Sequence, residues 1–229
     1  MQKKSWQTRS KALQNGRRNW KIWCSIKPDY LNTLLPTGST NPSSMTETCF
    51  TPFPVLSTSR LVLRALKETD DEAIFTHRND DLVNRYLLNW RHGSIEDSRA
   101  FIRRVLEEIS NGHTILWVLT ENGSDRFLGT VCLWNISWEE GKAETGYTLL
   151  SALHGKGLMQ EALQAVLHYG FSTLRLNLVD AYTHRENIRS IRLLERMGFN
   201  QAIPARVPDV DRIYLRKERL PKLKTSMER

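Results

Sequence analysis

Residues 146–162 read Gly-Tyr-Thr-Leu-Leu-Ser-Ala-Leu-His-Gly-Lys-Gly-Leu-Met-Gln-Glu-Ala, and the reading of this stretch decides the fold. It begins as a strand and ends as the start of a helix, with a short glycine-bearing loop at 154–157 between the two. A helix that starts directly after such a loop presents backbone N–H groups without intrahelical partners, and the positive end of its dipole, at one place. That place suits a phosphate. Gly155 and Gly157 let a bulky anion approach the backbone, and Lys156 adds a positive charge. A tight strand-to-helix turn also needs glycine for conformational reasons, so the loop alone leaves both readings open. Two phosphate motifs are excluded. The spacing is not G-x-x-x-x-G-K-[ST], and Gln160 stands where a dinucleotide fingerprint needs its third glycine.

Upstream of this stretch the pattern has period two. Strands are predicted at 114–120, 127–137 and 142–149, joined by the turn-like segments Glu-Asn-Gly-Ser-Asp and Glu-Glu-Gly, which implies an antiparallel meander. Before the meander come a strand at 60–66, a helix capped by Thr69 with Asp70, Asp71 and Glu72 in its first turn, and a short helix over 82–88. A longer helix starts at Ser94, with Asp97 completing a capping box and Phe101, Val105 and Ile109 spaced by four. Downstream lie a helix at 158–173, a strand at 177–182, a helix at 188–197 and a closing strand at 211–217. The sum is one α+β domain over 60–217: a mixed central sheet, meander first and β-α-β-α-β after it, flanked by helices. A glycine loop that follows a meander is in the wrong place for a Rossmann half.

The chain carries 33 Lys+Arg against 25 Asp+Glu, a formal charge of +8 that suggests a nucleic-acid binder. By segment it does not. Residues 1–44 hold eight basic residues and the single acid Asp29, so the other 185 residues carry 25 basic against 24 acidic side chains. The charge belongs to an extension with no sustained hydrophobic period, read as disordered or loosely helical and ending in the linker 36–44. Met45, directly after it, is a candidate start of the native protein, followed by a lead-in at 45–59; a polar tail closes the chain at 218–229. Contact with nucleic acid, if any, is expected through this extension, helped by Trp6, Trp20 and Trp23. Cys24, Cys49 and Cys132 are odd in number and lack C-x-x-C spacing, which reads as free thiols in a reducing cytoplasm. No apolar run approaches the roughly 18 residues of a membrane span. The histidines show no H-x-x-x-H pair, and no metal is expected.

The order of strand, glycine loop, long helix, strand, Asn-x-x-Ser and Gly-Phe resembles the GCN5-related N-acetyltransferase (GNAT) superfamily. Within it the chain is most similar to the RimJ/RimL branch of ribosomal-protein alanine N-acetyltransferases. The resemblance rests on Arg60-Leu-Val-Leu-Arg64, Ala143-Glu-Thr-Gly-Tyr147, His154 through Leu163, and Asn187-Ile-Arg-Ser190 running to Gly198-Phe199. It departs from the family's pattern at His154, in place of Gln or Arg, at Met159, in place of Gly or Ala, and at Leu194, where many members carry the tyrosine that protonates the leaving thiol.

The resemblance implies acetyl-CoA as cosubstrate, its pyrophosphate held by His154, Gly155, Lys156, Gly157, Leu158 and Met159. Its pantetheine arm would lie beside strand residues 147–150, with Leu149 and Leu150 as its contacts, like an added strand, reached also by Asn187. A backbone N–H near Leu149 would polarise the thioester carbonyl. Glu144 is the expected base, acting through water, and Ser190 the expected proton donor in place of the missing tyrosine. Tyr86, Trp90, Trp134 and Trp138 are candidate linings of the acceptor cleft, and His184 a candidate neighbour. The expected acceptor is a primary amine, first a protein N-terminus of the ribosomal-protein type and alternatively a small amine such as an amino acid, polyamine or aminoglycoside. A monomer or homodimer is expected. The reading from another class is a non-catalytic nucleic-acid binder that uses residues 1–44.

Overall fold

The computed structural model describes residues 50–87, 91–203 and 211–219. The basic extension, Met45, Cys24, Cys49, Trp90 and most of the polar tail lie outside them.

Eight strands form a single sheet in the order β1-β2-β3-β4-β5-β6-β8-β7. β1 (Leu56–Ser57), β2 (Leu61–Ala65), β3 (Ile115–Glu121), β4 (Gly129–Ser137) and β5 (Lys142–Leu149) run antiparallel in succession. β6 (Leu178–His184) lies parallel to β5, and β8 (Arg212–Glu218) is antiparallel both to β6 and to the two-residue edge strand β7 (Asn200–Gln201). The helices are α1 (Asp71–Asn79), α2 (Asp81–Asn84), α3 (Ile95–Ser110), α4 (Leu158–Ser172) and α5 (Ile188–Arg196). The mixed α+β architecture expected from the sequence is therefore present.

Each face of the sheet has its own core. On one, α4 and α5 pack Leu163, Val166, Leu193 and Leu194 against Trp117, Leu133, Val179 and their neighbours. On the other, α1 and α3 pack Ile74, Ile102 and Val105 against Leu116, Val118 and Cys132. Alternation along β3, all buried except its last residue, supplies both cores from one strand.

Three local expectations are corrected. Thr69 caps nothing, because residues Glu68–Asp70 form a 3-10 turn and the carboxylate of Asp70 accepts the N–H of Lys67 at 2.9 Å. Asp70 is drawn out of the helix by Arg64, which donates to both its oxygens at 2.9 and 2.8 Å from a buried position, so α1 begins one residue later. The helix expected over 82–88 is one turn, α2, because the side chain of Asn84 folds back on the carbonyls of Arg78 and Asp80, each at 2.7 Å. β1, inside the lead-in, is too short to show a period, and β6 runs two residues beyond Tyr182.

Candidate active site

The parallel pair β5–β6 holds register only from Lys142–Leu178 to Thr145–Ala181, yet β5 continues to Leu149 and β6 to His184. Beyond Thr145 the strands part, β5 staying with β4 and β6 with β8. Leu150 N–H donates to Leu128 O at 2.8 Å, and Gly129 is the register partner of Leu149. Antiparallel alternation then turns the N–H and C=O groups of Tyr147 and Leu149 away from β4, into the split. Leu149 O is met by Nε2–H of His154 at 2.9 Å, which leaves Leu149 N–H facing the split. Leu150 contributes less: its N–H goes to Leu128 and its carbonyl accepts from Leu153 at 2.9 Å.

The loop ends at the start of α4. Gly157 is the N-cap, with φ 77° and no side chain to satisfy the first turn, and the first intrahelical bond is Glu161 N–H to Gly157 O at 3.1 Å. The N–H groups of Leu158, Met159 and Gln160 thus precede the first helical bond. Gly155 has φ 78°, so both glycines occupy the left-handed region that other residues resist. These angles meet the conformational reading of the two glycines. The side chains of Leu158 and Met159 are buried in the core, so only their backbone faces the loop. A diphosphate fits such a helix start, and an extended amide-bearing arm fits the split's edge.

At the root of the split, one row across the sheet places Trp134, Glu144, Asp180 and Arg216 side by side on β4, β5, β6 and β8. β4 changes register between Trp134 and Ser137, and Asn135 there takes φ 50°. This swings its side-chain amide onto Glu144, with Nδ2 donating to Oε1 at 2.9 Å. Burial pushes the Glu144 carboxyl up to about 7, the Asn135 bond opposes the rise and the charge of Asp180 adds to it. Asp180 is itself held by Arg216 Nε at 3.0 Å. Tyr182 and His184 continue the same face of β6, and Tyr86 stacks on His184 with ring centroids 5.5 Å apart. Trp138 is occupied elsewhere: its Nε1–H donates to Gly112 O at 3.0 Å.

On the opposite face of β5, Tyr147 Oη and Ser190 Oγ are 2.8 Å apart. Burial pushes the tyrosine hydroxyl up to about 12, against the Ser190 bond. Asn187 is the N-cap of α5, its Oδ1 accepting Ser190 N–H at 3.2 Å. Glu144 and Ser190 therefore flank the split from its two faces. Leu194, at the tyrosine position, is 1% exposed and belongs to the core. Sequence reasoning missed Asn135, Asp180 and the contact of Tyr147 with Ser190. Of these only Tyr147 carried a signal, its place beside the glycine loop. Among the described residues no cluster of His, Cys, Asp or Glu is arranged to hold a metal, and no helix is long and apolar enough to cross a membrane.

Comparison with known proteins gives the chain its family. The sequence profile described as "Acetyltransferase (GNAT) domain" matches residues 60–200. The chain belongs to the GNAT family. It is an acetyl-CoA-dependent N-acetyltransferase, which sets aside the reading as a non-catalytic nucleic-acid binder. The N-acetyltransferase YoaA of Bacillus subtilis is 32% identical over 149 residues, 65% of this chain and 84% of that protein. The spermidine N(1)-acetyltransferase of Vibrio cholerae is 25% identical, over 69% of this chain and 93% of the relative. Among solved structures, the RimL ribosomal L7/L12 alpha-N-protein acetyltransferase, in complex with coenzyme A, superimposes with a TM-score of 0.63. It does so at 18% identity over 72% of this chain and 98% of RimL, a likeness of fold.

Proposed function

We propose that this GNAT enzyme acetylates an N-terminal α-amino group, with Glu144 as base, and that a ribosomal protein presents that amine in the cytoplasm. The observation that carries the reading is the Glu144 carboxyl, set at the root of the split and pushed up to about 7. A base is most effective when its pKa approaches that of the group it deprotonates. An α-ammonium has a pKa near 8 and an alkylammonium about 10.4, so proton transfer to Glu144 from the alkylammonium is uphill by about 3 kcal/mol more. The small-amine reading draws on the spermidine relative, but the second carboxylate in the row, Asp180, is bound by Arg216.

In this reading acetyl-CoA supplies the activated acetyl thioester. His154 through Met159 hold its diphosphate, Leu149 N–H polarises the thioester carbonyl, and Asn187 flanks the pantetheine arm. Glu144 takes a proton from the α-ammonium, and the neutral nitrogen then bonds to the carbonyl carbon. As the carbon–sulfur bond breaks, Ser190 gives the thiolate a proton and takes up the one that the acylated nitrogen sheds, while Tyr147 holds the serine hydroxyl in place. Free-thiol release tests this with acetyl-CoA against peptides of differing first residue and a panel of polyamines, amino acids and aminoglycosides. The expected result is turnover of peptides with kcat/KM at least tenfold above any small amine; a preferred polyamine or aminoglycoside overturns it.

A further inference from the structure

Arg60 opens the Arg-Leu-Val-Leu-Arg motif, and nothing in the chemistry above uses it. In the structure it lies against the glycine loop. Its Nε donates to Glu161 Oε2 at 2.7 Å, its backbone N–H to Glu161 Oε1 at 2.8 Å, and its Nη1 to the carbonyl of Lys156 at 3.0 Å. Ser59 Oγ adds a fourth bond, to Glu161 Oε1 at 3.0 Å. The remaining nitrogen, Nη2, lies 3.6 Å from where a Cβ on Gly157 would sit.

We infer that Arg60 and Glu161 form a brace between the opening strand and the loop, and act as positioning residues for the diphosphate of acetyl-CoA. The inference rests on the reading that the loop receives that diphosphate. An anion site made of backbone has two internal competitors. One is any carbonyl that turns inward, and Arg60 Nη1 holds the Lys156 carbonyl outward. The other is a carboxylate in the first turn of the helix, which the dipole attracts to the same donors. Glu161 is such a carboxylate. Both its oxygens are engaged by Arg60 and Ser59 on the β2 side, so it is turned away from the N–H groups of residues 158–160. It stays ionised there: burial opposes the charge, but hydrogen bonds from Thr58, Arg60 and Ser59 draw its pKa down to about 2.

The brace is distinguishable from an ordinary surface ion pair. The side chain of Arg60 is 49% exposed and that of Glu161 17%, and a pair open to solvent on its cationic side contributes little to folding. Its loss should therefore move cofactor binding and leave the melting temperature nearly unchanged. The test compares acetyl-CoA with S-acetylpantetheine, the same thioester without a diphosphate, in wild type, Arg60→Ala, Arg60→Lys, Glu161→Gln and the loop control Gly157→Ala. The expected result for Arg60→Ala and Glu161→Gln is a rise of about tenfold in the KM for acetyl-CoA, with kcat and the kinetics of S-acetylpantetheine unchanged. Arg60→Lys, which keeps the charge but not the fork, should recover only part of the loss. An unchanged KM for acetyl-CoA in both brace variants, or an equal loss for both thioesters, overturns the inference. If Gly157→Ala loses the discrimination between thioesters while Arg60→Ala keeps it, the loop reading stands and the brace falls. If Gly157→Ala keeps it as well, the loop reading fails and takes the brace with it. Should Arg60→Ala not fold, the nearly isosteric Glu161→Gln decides alone.

Discussion

Glu144 is a strand carboxylate whose neighbours work against its ionisation. Burial and the adjacent Asp180 hold its pKa near 7, so at neutral pH about half of it is deprotonated. As the base in kcat/KM it should give an acidic limb of unit slope centred near pH 7. Glu144→Gln keeps the acceptor oxygen that Asn135 uses, removes that limb and lowers kcat by 10²–10⁴-fold, as expected for loss of a general base. A pH–rate profile of the variant that retains the limb would assign the base elsewhere. In the sequence Glu144 stood out only through the family's pattern. Its environment was hidden, because Asn135 reaches it through a register shift in β4 and Asp180 through the pairing of strands 36 residues apart in sequence.

Elements were legible where local chemistry sets their ends. The Ser94–Asp97 capping box and the Asn187 cap stand where the residues place them, and Gly157 marks the start of α4. The start of α1 was not, because the Arg64–Asp70 pair that sets it joins residues on different elements. The split was illegible too, since it exists only where β5 and β6, separated by the whole of α4, stop pairing. α5 shows what a departure from a family pattern means in three dimensions. Leu194 is not a vacant catalytic position: it is closed into the core beside Leu193, Phe199 and Val179. Leu194→Tyr should therefore add no activity and should overpack the core, at a cost of about 1–3 kcal/mol. Chemical denaturation and steady-state kinetics check the two halves of this expectation; raised turnover at unchanged stability contradicts both.

For the molecule as a whole, three groups set the dependence of stability on pH between 4 and 7, the buried His77 and the half-buried His92 and Glu144, and they act in opposite directions. Burial, with the charge of Arg78 second, brings His77 and His92 each down to about 4, although Asp80 opposes the shift at His77 and Asp97 at His92. His77 is 1% exposed, with Nε2 on Thr148 Oγ1 at 2.8 Å and its ring edge-on to Phe127, so the folded chain holds it neutral. Between pH 4 and 6.5 the unfolded chain binds a proton at each histidine that the folded chain refuses, and stability rises with pH through that window. Glu144 acts the other way. Its folded pKa lies above its unfolded value of about 4.5, so the folded chain holds the extra proton between 4.5 and 7 and stability falls as pH rises. Two histidines outweigh one glutamate, so the wild type should gain stability with pH at a slope of about one proton near pH 5, fading toward pH 6.5 as the unfolded histidines lose their protons. Glu144→Gln should steepen that slope toward two protons and be more stable than wild type at pH 8. His77→Gln, which can keep a bond to Thr148, should flatten it. Urea midpoints measured at half-unit steps across the window test all three, and a His77→Gln slope equal to that of wild type would show that His77 takes its proton in the folded protein.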